Sequence, residues 1–325
     1  MDKFYLIDYQ TIEAIYSNPP LTATERPRES RGLFFSPQSN QNIHLCSMRH
    51  AIIIWIFCLS VIASQAQIRA VSYNIRYNNP GDGANAWTQR LPAIKQHLNQ
   101  FQFDILGIQE GLHQQIIDLQ SALGSQYSWI GVGRDSGDFR GEFCAIFYNQ
   151  EKFTLISTSY TQWLSPTPNK PSKGWDAALP RIVTFAKFKE KSSGKCFWVF
   201  NTHFDHMGKT ARFESALLLS NLIHQHSPTD PAILLGDFNC QDSSAPIQFL
   251  SNKMEKANPI QPHDQPIIKG TFNGFAKDAE QPGPTIDHIF INKFNAQACW
   301  IDYTTRGPGL YISDHYPILV DLQFR

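Results

Sequence analysis

The chain has 325 residues, of which 42% are hydrophobic and 13% aromatic, and its 28 basic residues balance 28 acidic ones. This apolar content excludes a wholly disordered chain, and the length fits one large domain or two small ones. The balanced charge excludes a protein that coats polyanions, because sequence-independent nucleic-acid binding requires a basic excess. Six cysteines in a chain of this length do not make a disulfide scaffold.

The N-terminal part carries the pattern of an export signal. Residues 51–63 are strongly apolar but are too few for the roughly 20 residues that cross a bilayer as a helix. A basic segment beginning at Met48 precedes them and a small-x-small tripeptide follows. We therefore predict a disordered upstream extension at 1–47 outside the native product, a signal peptide at 48–66 and the functional domain at 67–325. The alternative is a short membrane anchor with a cytoplasmic tail.

Short apolar strands alternate with a few helices along residues 67–325. Strands are predicted over 68–74, 104–110, 142–149, 180–188, 196–204, 232–239, 285–292 and 316–324. Helices are predicted from Pro92 onward, through 116–123, and over 209–226, where Phe213, Leu217 and Leu218 lie on one side. Residues 251–284 are rich in Pro, Asn and Gln and are predicted to form a long loop. The pattern indicates one α/β domain that is rich in strands.

Polar side chains stand at the ends of these strands. They are Asn74, Glu110, His203, Asp237, Asn239, Asp287, Asp314 and His315. Side chains at the ends of neighbouring strands converge at one rim of a sheet, where loops leave a site open. Oxygen donors without thiolates favour Mg²⁺ or Mn²⁺ over zinc or copper. Imidazoles near such a cation can transfer protons at neutral pH.

Each polar residue also has a structural interpretation. Asp237 and Asn239 could form only an Asx-turn after a strand, and Glu110 could be a solvated strand end. His203 could be a core histidine whose hydrogen bonds are satisfied, the 313–315 tripeptide a turn, and Asp287 with His288 a surface pair. Such short matches are individually weak. Their occurrence in one order, each within or after a strand, favours a shared site.

The ordered motifs resemble a known superfamily. They are SYNIR around Asn74, GIQE ending at Glu110, NTHFDH at 201–206, GDFN at 236–239, IDHIF at 286–290 and SDHYP at 313–317. Together they resemble the endonuclease/exonuclease/phosphatase superfamily, in an exported bacterial branch similar to its deadenylase-like members. The resemblance covers residues 67–325. It implies a deoxyribonuclease I-like α/β fold, a four-layer α/β/β/α sandwich of two mixed β-sheets.

The resemblance also implies a metal site and a set of catalytic residues. Glu110 is expected to be the main metal ligand, with Asn74 and Asp314 completing the set. Asp287 is expected to orient His315, which would act as the base or as a charged clamp on the phosphate. The remaining catalytic residues are expected to be Asp237 and Asn239, which position water and a phosphate oxygen, and His203, which binds another oxygen or protonates the leaving group.

Substrate contacts are expected from basic residues near the site. Arg181 precedes a predicted strand at a position where the superfamily often has a phosphate-binding residue; the alternative is a salt bridge at the strand edge. Arg134 is expected to bind substrate as well, with Asp205, His206, Glu142 and Trp175 shaping the pocket. Trp163 and Trp175 flank a Pro-rich loop that could meet a lipid surface, but packing on the sheet is the favoured interpretation.

The predicted function is that of an exported, Mg²⁺-dependent phosphoesterase, with Mn²⁺ as the alternative ion, in the periplasm or outside the cell. Hydrolysis would proceed by in-line attack of metal-assisted water on a phosphodiester or phosphomonoester. The substrate could be a nucleic acid or a small phosphoester. We expect a monomer without stable membrane insertion after signal cleavage. The alternatives are a sphingomyelinase-like phospholipid phosphodiesterase and a non-catalytic exported binding domain that keeps the fold.

Overall fold

The computed structural model describes residues 67–158, 160–258, 270–276 and 283–325. The predicted upstream extension and signal peptide, at 1–66, lie outside the described residues, as does part of the predicted loop at 251–284. Within the described ranges, no helix combines the length and the apolar character needed to cross a membrane.

The described ranges contain four α-helices and fifteen strands, and the first and last of these elements are strands. The α-helices are α1 (Trp87–Phe101), α2 (His113–Leu123), α3 (Lys209–His226) and α4 (Ala245–Ser251). The strands are β1 (Ile68–Asn74), β2 (Ile105–Gln109), β3 (Tyr127–Ile130), β4 (Ile146–Asn149), β5 (Phe153–Leu155), β6 (Tyr160–Trp163), β7 (Ile182–Glu190), β8 (Cys196–His203), β9 (Ala232–Asp237), β10 (Glu255–Lys256), β11 (Asp287–Asn292), β12 (Phe294–Ile301), β13 (Thr305–Gly307), β14 (Leu310–Tyr311) and β15 (Ile318–Phe324). The predicted strands therefore exist, although the strand expected from residue 142 begins at Ile146.

Two large mixed sheets organise these strands. The first sheet has the order β12-β15-β1-β2-β4-β3, in which only β1 and β2 run parallel. The second has the order β10-β11-β9-β8-β7-β5, with β6 also paired to β7, and only β8 and β9 run parallel. A small hairpin of β13 and β14 stands apart. In each large sheet the parallel pair is central.

Three apolar clusters separate the structure into four layers. The inner faces of the two sheets meet in a cluster that includes Ile105 and Ile146 from the first sheet and Val199 and Leu235 from the second. A second cluster packs α1 and α2 on the outer face of the first sheet, and a third packs α3 and α4 on the second. Burial on both faces explains the near-continuous apolar runs of the central strands. The predicted α/β/β/α sandwich is confirmed.

The first helix begins earlier than its proline suggested. It starts at Trp87, so that Pro92 is its sixth residue rather than its first. Tertiary contacts offset the backbone hydrogen bond that Pro92 cannot donate. The indole Nε1 of Trp87 donates to Asp118 at 2.7 Å, and the fully buried guanidinium of Arg90 donates to the backbone carbonyls of Ile75 and Ile312.

The third helix has the predicted bounds but a different buried face. Phe213 is 37% exposed, and Leu217 and Leu218 are only partly buried. The residues that face the second sheet are Ala211, Ser215, Ala216, Leu219, Leu222 and Ile223. The expectation was wrong because the buried residues 211, 215, 219 and 222 recur at helical spacing on one face, whereas Phe213 and Leu217 lie on the opposite face and Leu218 lies at its edge.

Candidate active site

Strand register brings the predicted polar residues to one edge of the sandwich. Asn74 and Gln109 are paired at the ends of the parallel strands β1 and β2, and Glu110 follows directly. In the second sheet, Asp237 is paired with His203 on one side and with Asp287 on the other. Asp314 and His315 lie just before β15. The two strands of a parallel pair end at the same edge of their sheet. The polar residues at the ends of these strands therefore lie around a common cleft.

Asn74 lies at the centre of this edge and is fully buried. Its Nδ2 lies 3.1 Å from Glu110 Oε1, 3.0 Å from Asp237 Oδ2 and 3.4 Å from His315 Nε2. Glu110 adopts a left-handed backbone conformation with φ of 64°, and such strain in a residue with a Cβ is typical of functional sites. One side chain therefore joins residues from three separate segments.

Asp287 and His315 form a closely bonded pair. Asp287 Oδ2 lies 2.8 Å from His315 Nδ1, and both side chains are buried. The imidazole Nε2 lies 3.7 Å from Asp237 Oδ2. Burial alone would lower the pKa of His315, but the carboxylates of Asp287 and Asp237 outweigh it and raise the pKa well above its ordinary value. The base and charged-clamp roles of His315 both stay predictions.

His203 belongs to a second group on the other side of Asp237. Its Nε2 lies 3.4 Å from Asp237 Oδ2 and 3.1 Å from Asn239 Nδ2. Asn239 also donates to the backbone carbonyl of Phe204 and, through its own N–H, binds Asp237 Oδ1 at 2.9 Å. Burial, with the positive charge of Arg181 adding to it, holds the pKa of His203 well below its ordinary value. His203 is therefore a neutral hydrogen-bonding group.

The cluster contains several buried carboxylates whose negative charge is costly in this environment. Burial, together with the charge of Asp287, raises the pKa of Asp237 to about 7. Burial also raises the pKa of Asp314 to about 6. Asp287 Oδ1 is buried and has no hydrogen-bond partner among the described residues. Carboxylates in this situation are stabilised by a cation.

The donor set fits a hard divalent ion. Glu110, His203 and Asp237 each offer one ligand atom, all within 4.8 Å of one another, and Asp237, Asp287 and His315 do the same. Asn74 is adjacent to Glu110, whereas the carboxylate of Asp314 faces Arg76 at 3.6 Å and joins neither group. The expected ligand set of Asn74, Glu110 and Asp314 stays a prediction, to which the geometry adds Asp237 and His203.

Arg181 is buried at the wall of the cleft. Its Nε lies 3.3 Å from Asp205 Oδ2 and its Nη2 lies 3.0 Å from His206 Nδ1, while Nη1 has no hydrogen-bond partner among the described residues. The salt bridge considered from the sequence exists, but to a buried partner beside the site rather than at a strand edge. The Nη1 atom is itself buried, so phosphate binding by Arg181 stays a prediction.

Arg134 lies behind the cleft rather than in it. It binds both carboxylate oxygens of Glu142, at 2.5 and 2.8 Å, and Glu142 in turn lines the cleft. Burial raises the pKa of Glu142 to about 7 despite the opposing charge of Arg134. Trp163 packs as expected and donates to the Arg134 carbonyl, whereas Trp175 is 38% exposed. Substrate binding by Arg134 would therefore act through Glu142.

Among the residues that sequence reasoning missed, Arg76 and Phe272 line the cleft of about 700 Å³, and Thr271 is buried outside its lining. Arg76 lies two residues after Asn74 and pairs with Asp82 and Asp314. Phe272 contacts the His315 ring edge-on with centroids 5.0 Å apart. Thr271 is fully buried and accepts the backbone N–H of Asp287. SYNIR contains Arg76 and could have drawn attention to it, but the loop around Thr271 gave no signal.

Two mixed sheets between helices, with carboxylate, amide and imidazole groups at their shared edge, define a hydrolase of phosphoesters. The chain belongs to the Endonuclease/Exonuclease/phosphatase family, whose sequence model matches residues 71–315. The resemblance of the motifs to this superfamily is thus confirmed, whereas export stays a prediction.

Solved structures of other family members are similar over most of the chain. A family member from Bacteroides vulgatus is 37% identical, with a TM-score of 0.74, and the match covers 80% of this chain and 100% of that one. The Bacteroides thetaiotaomicron mannosyl-6-phosphatase is 36% identical, with a TM-score of 0.71, over 79% of this chain and 100% of that one. The human Nocturnin catalytic domain shares the fold at 21% identity, with a TM-score of 0.63 over 80% of this chain and 94% of that one.

Proposed function

We propose that the chain is an exported, divalent-metal-dependent phosphomonoesterase that acts on a small phosphorylated substrate. The observation that carries the proposal is the convergence of Glu110, His203, Asp237 and His315 on one cleft. A Mg²⁺ ion held by Glu110 and Asp237, with Asn74 and His203 beside them, would supply charge for the developing oxyanion and activate water. Mn²⁺ offers the same chemistry.

The chain's own residues have separate tasks in this proposal. His315, held by Asp287, presents Nε2 toward a phosphate oxygen. Asn239 and the neutral His203 offer hydrogen bonds on the opposite side of Asp237. These groups are fixed before the substrate arrives, which is the condition for electrostatic stabilisation of a transition state.

The charges around the cleft favour a small substrate over a nucleic acid. The arginines that line it, Arg76 and Arg181, are each paired with carboxylates, and Arg134 behind them is paired as well. A polynucleotide track needs several cations free to neutralise successive phosphates. The similarity to a mannosyl-6-phosphatase supports the same choice, and mannose 6-phosphate is the first substrate to test.

A metal-supplemented activity panel tests the proposal. The panel contains mannose 6-phosphate, nitrophenyl phosphate, single-stranded DNA, RNA and phospholipid vesicles. We expect release of inorganic phosphate from the first two with Mg²⁺ or Mn²⁺, and loss of turnover with excess EDTA. Glu110→Gln and His315→Ala should each lower kcat by about 100-fold or more. Glu151→Gln, at an exposed carboxylate near the opposite end of the sheet, is the matched control.

The other outcomes of the panel are equally informative. Turnover that survives EDTA would contradict the metal dependence. Cleavage of nucleic acid or phospholipid, with no release of phosphate from the monoesters, would replace the proposed substrate class. No hydrolysis at all, with both metals supplied, would favour the non-catalytic binding domain.

Export and oligomeric state have their own measurements. The export proposal is supported by the signal-like pattern at 48–66. N-terminal sequencing of the protein from cell fractions should find a mature chain beginning at Gln67 in the periplasm or medium. A chain that keeps the apolar stretch and sediments with membranes would contradict export by cleavage. Light scattering tests the proposed monomer.

A further inference from the structure

We infer that His206 determines substrate specificity by donating a hydrogen bond to a hydroxyl of the alcohol that carries the phosphate, so that the preferred substrates are phosphorylated sugars or similar polyols. This inference rests on the proposed function. His206 is one of the side chains that line the cleft, and it lies three residues after His203.

Arg181 determines which nitrogen of His206 carries the proton. Arg181 Nη2 lies 3.0 Å from His206 Nδ1. A guanidinium group can only donate hydrogen bonds, so Nδ1 must accept and cannot carry a proton. The ring proton of His206 therefore lies on Nε2. His206 is thus a hydrogen-bond donor with a defined tautomer.

Asp205 makes this arrangement rigid. Its buried carboxylate binds Arg181 and accepts the backbone N–H groups of Ala178, Leu179, Met207 and Gly208 at 2.8 to 3.2 Å. The carboxylate thereby connects the loops at 178–179 and 207–208 with Arg181. A hydrogen-bond donor on such a support can discriminate between ligands.

The donor of His206 is available to a molecule in the cleft. His206 is an exposed residue, and its Nε2 has no hydrogen-bond partner among the described residues. His206 lines the same cleft as Glu110, Asp237 and His315, so a phosphoester held at those three residues has its alcohol in the cleft that His206 lines.

The rim next to His206 is apolar. Leu179 is 37% exposed and Met207 67%, and the backbone N–H groups of both residues bind Asp205. Trp175 is 38% exposed, and its neighbour Asp176 binds the first turn of α3 through the N–H groups of Thr210 and Ala211. A sugar presents both a hydroxyl edge and an apolar C–H face. The Nε2–H donor of His206 would bind the hydroxyl edge, and the apolar side chains beside it would contact the C–H face.

Selectivity between two phosphomonoesters tests the inference. We would measure kcat/KM for a hexose 6-phosphate and for nitrophenyl phosphate, which has no free hydroxyl on its alcohol. His206→Ala should lower the ratio of the two kcat/KM values by about 10-fold, the effect of one neutral hydrogen bond. His206→Gln should restore part of the ratio, since its amide can both accept from Arg181 and donate. His224→Ala, at an exposed histidine of α3, is the matched control.

Nitrogen NMR of the metal-free protein provides a readout that does not depend on turnover. We expect the His206 ring to carry its proton on Nε2, and Arg181→Ala to allow both tautomers. An unchanged ratio in His206→Ala, or a proton on Nδ1 in the wild type, would overturn the inference while leaving the proposed function intact. Wild-type protein that hydrolyses neither monoester with Mg²⁺ would instead overturn the proposed function and this inference with it.

Discussion

Asn74 shows how an uncharged side chain can organise charged ones. Its amide nitrogen lies within hydrogen-bonding distance of Glu110 and Asp237, which come from different sheets. Its carbonyl oxygen accepts the backbone N–H of Arg76 at 3.0 Å, so the amide orientation is fixed from both ends. A residue of this kind sets the spacing of two carboxylates without adding charge to a buried cluster.

Asp287→Asn tests the orientation of His315. The amide would keep the size of the side chain but could bind the other tautomer of the imidazole, so the proton on Nδ1 is no longer secured. We expect kcat to fall by roughly 100-fold or more, with KM changed little. Steady-state kinetics on the active monoester measures this. Asp242→Asn, at an exposed carboxylate, is the control, and an equal loss there would contradict the assigned role.

The sequence identified the site residues better than it identified their partners. GDFN and SDHYP are short motifs in which the chemistry and the strand end are both visible, so Asp237 and His315 could be named. Arg134 was assigned to substrate because the sequence cannot show that Glu142, eight residues later, occupies its guanidinium. Which side chains form a hydrogen bond or ion pair depends on their directions, and these are fixed only in the folded chain.

Helix α1 connects the core of the first sheet to the active-site loops through Arg90. This fully buried side chain donates to backbone carbonyls of Ile75 and Arg76, just after β1, and of Ile312, just before the SDHYP motif. Loops that carry Asn74 and His315 are thus tied to the same guanidinium. These contacts also stabilise a helix that contains Pro92 in its interior.

Arg90→Met should destabilise the fold strongly. The substitution leaves several buried carbonyls without donors, and each unsatisfied group costs about 1–3 kcal/mol. We expect the free energy of unfolding to fall by about 3–5 kcal/mol in urea denaturation. Lys95→Met on the exposed side of the same helix should change it by less than about 0.5 kcal/mol. Similar values for both variants would contradict the anchoring role of Arg90.

Helix α3 provides a direct test of the corrected face. Leu219 is fully buried against the second sheet, whereas Phe213 is 37% exposed. Leu219→Ala should lower the free energy of unfolding by about 2–5 kcal/mol, the range for a buried leucine. Phe213→Ala should cost less than about 1 kcal/mol, since much of its ring remains in water. The reverse order in denaturant titrations would restore the face inferred from the sequence.

At the scale of the whole molecule, the protein interior holds a titratable side chain, His288, whose charged form is disfavoured by burial. His288 is buried on β11, and one of its ring nitrogens, Nε2, lies 2.8 Å from the carbonyl oxygen of Cys240. Burial lowers the pKa of His288 from its ordinary value of 6.5 to about 4. Folding therefore favours the neutral ring. Between pH 6.5 and about 4, the unfolded chain binds a proton at His288 and the folded chain does not.

This difference makes stability depend on pH with a definite sign. The contribution of His288 is fully present above pH 6.5 and is lost as the pH falls toward 4, because the unfolded state binds more protons in that window. The loss amounts to about 3 kcal/mol at one pKa unit per 1.36 kcal/mol. His288→Gln keeps a donor for Cys240 but does not titrate. Unfolding free energies measured from pH 7 to 4 should therefore fall less steeply in the variant; parallel curves would contradict the assignment.

The sequence alone determined the family, the sandwich fold and the identity of most polar residues in the cleft. It could do so because buried central strands are continuous apolar runs and each ends in a polar side chain, a pattern that is local along the chain. It did not show β12, whose alternating polar residues form an exposed edge of the first sheet, or the short helix α4.

Only the tertiary structure decided how these residues meet. The register that pairs Asp237 with both His203 and Asp287, the contact between Asp205, Arg181 and His206, and the buried face of α3 all join segments that are distant in the sequence. Such contacts depend on how two sheets and their helices pack against each other. Packing is a property of the whole molecule, because the residues that contact a given side chain come from segments far away in the sequence.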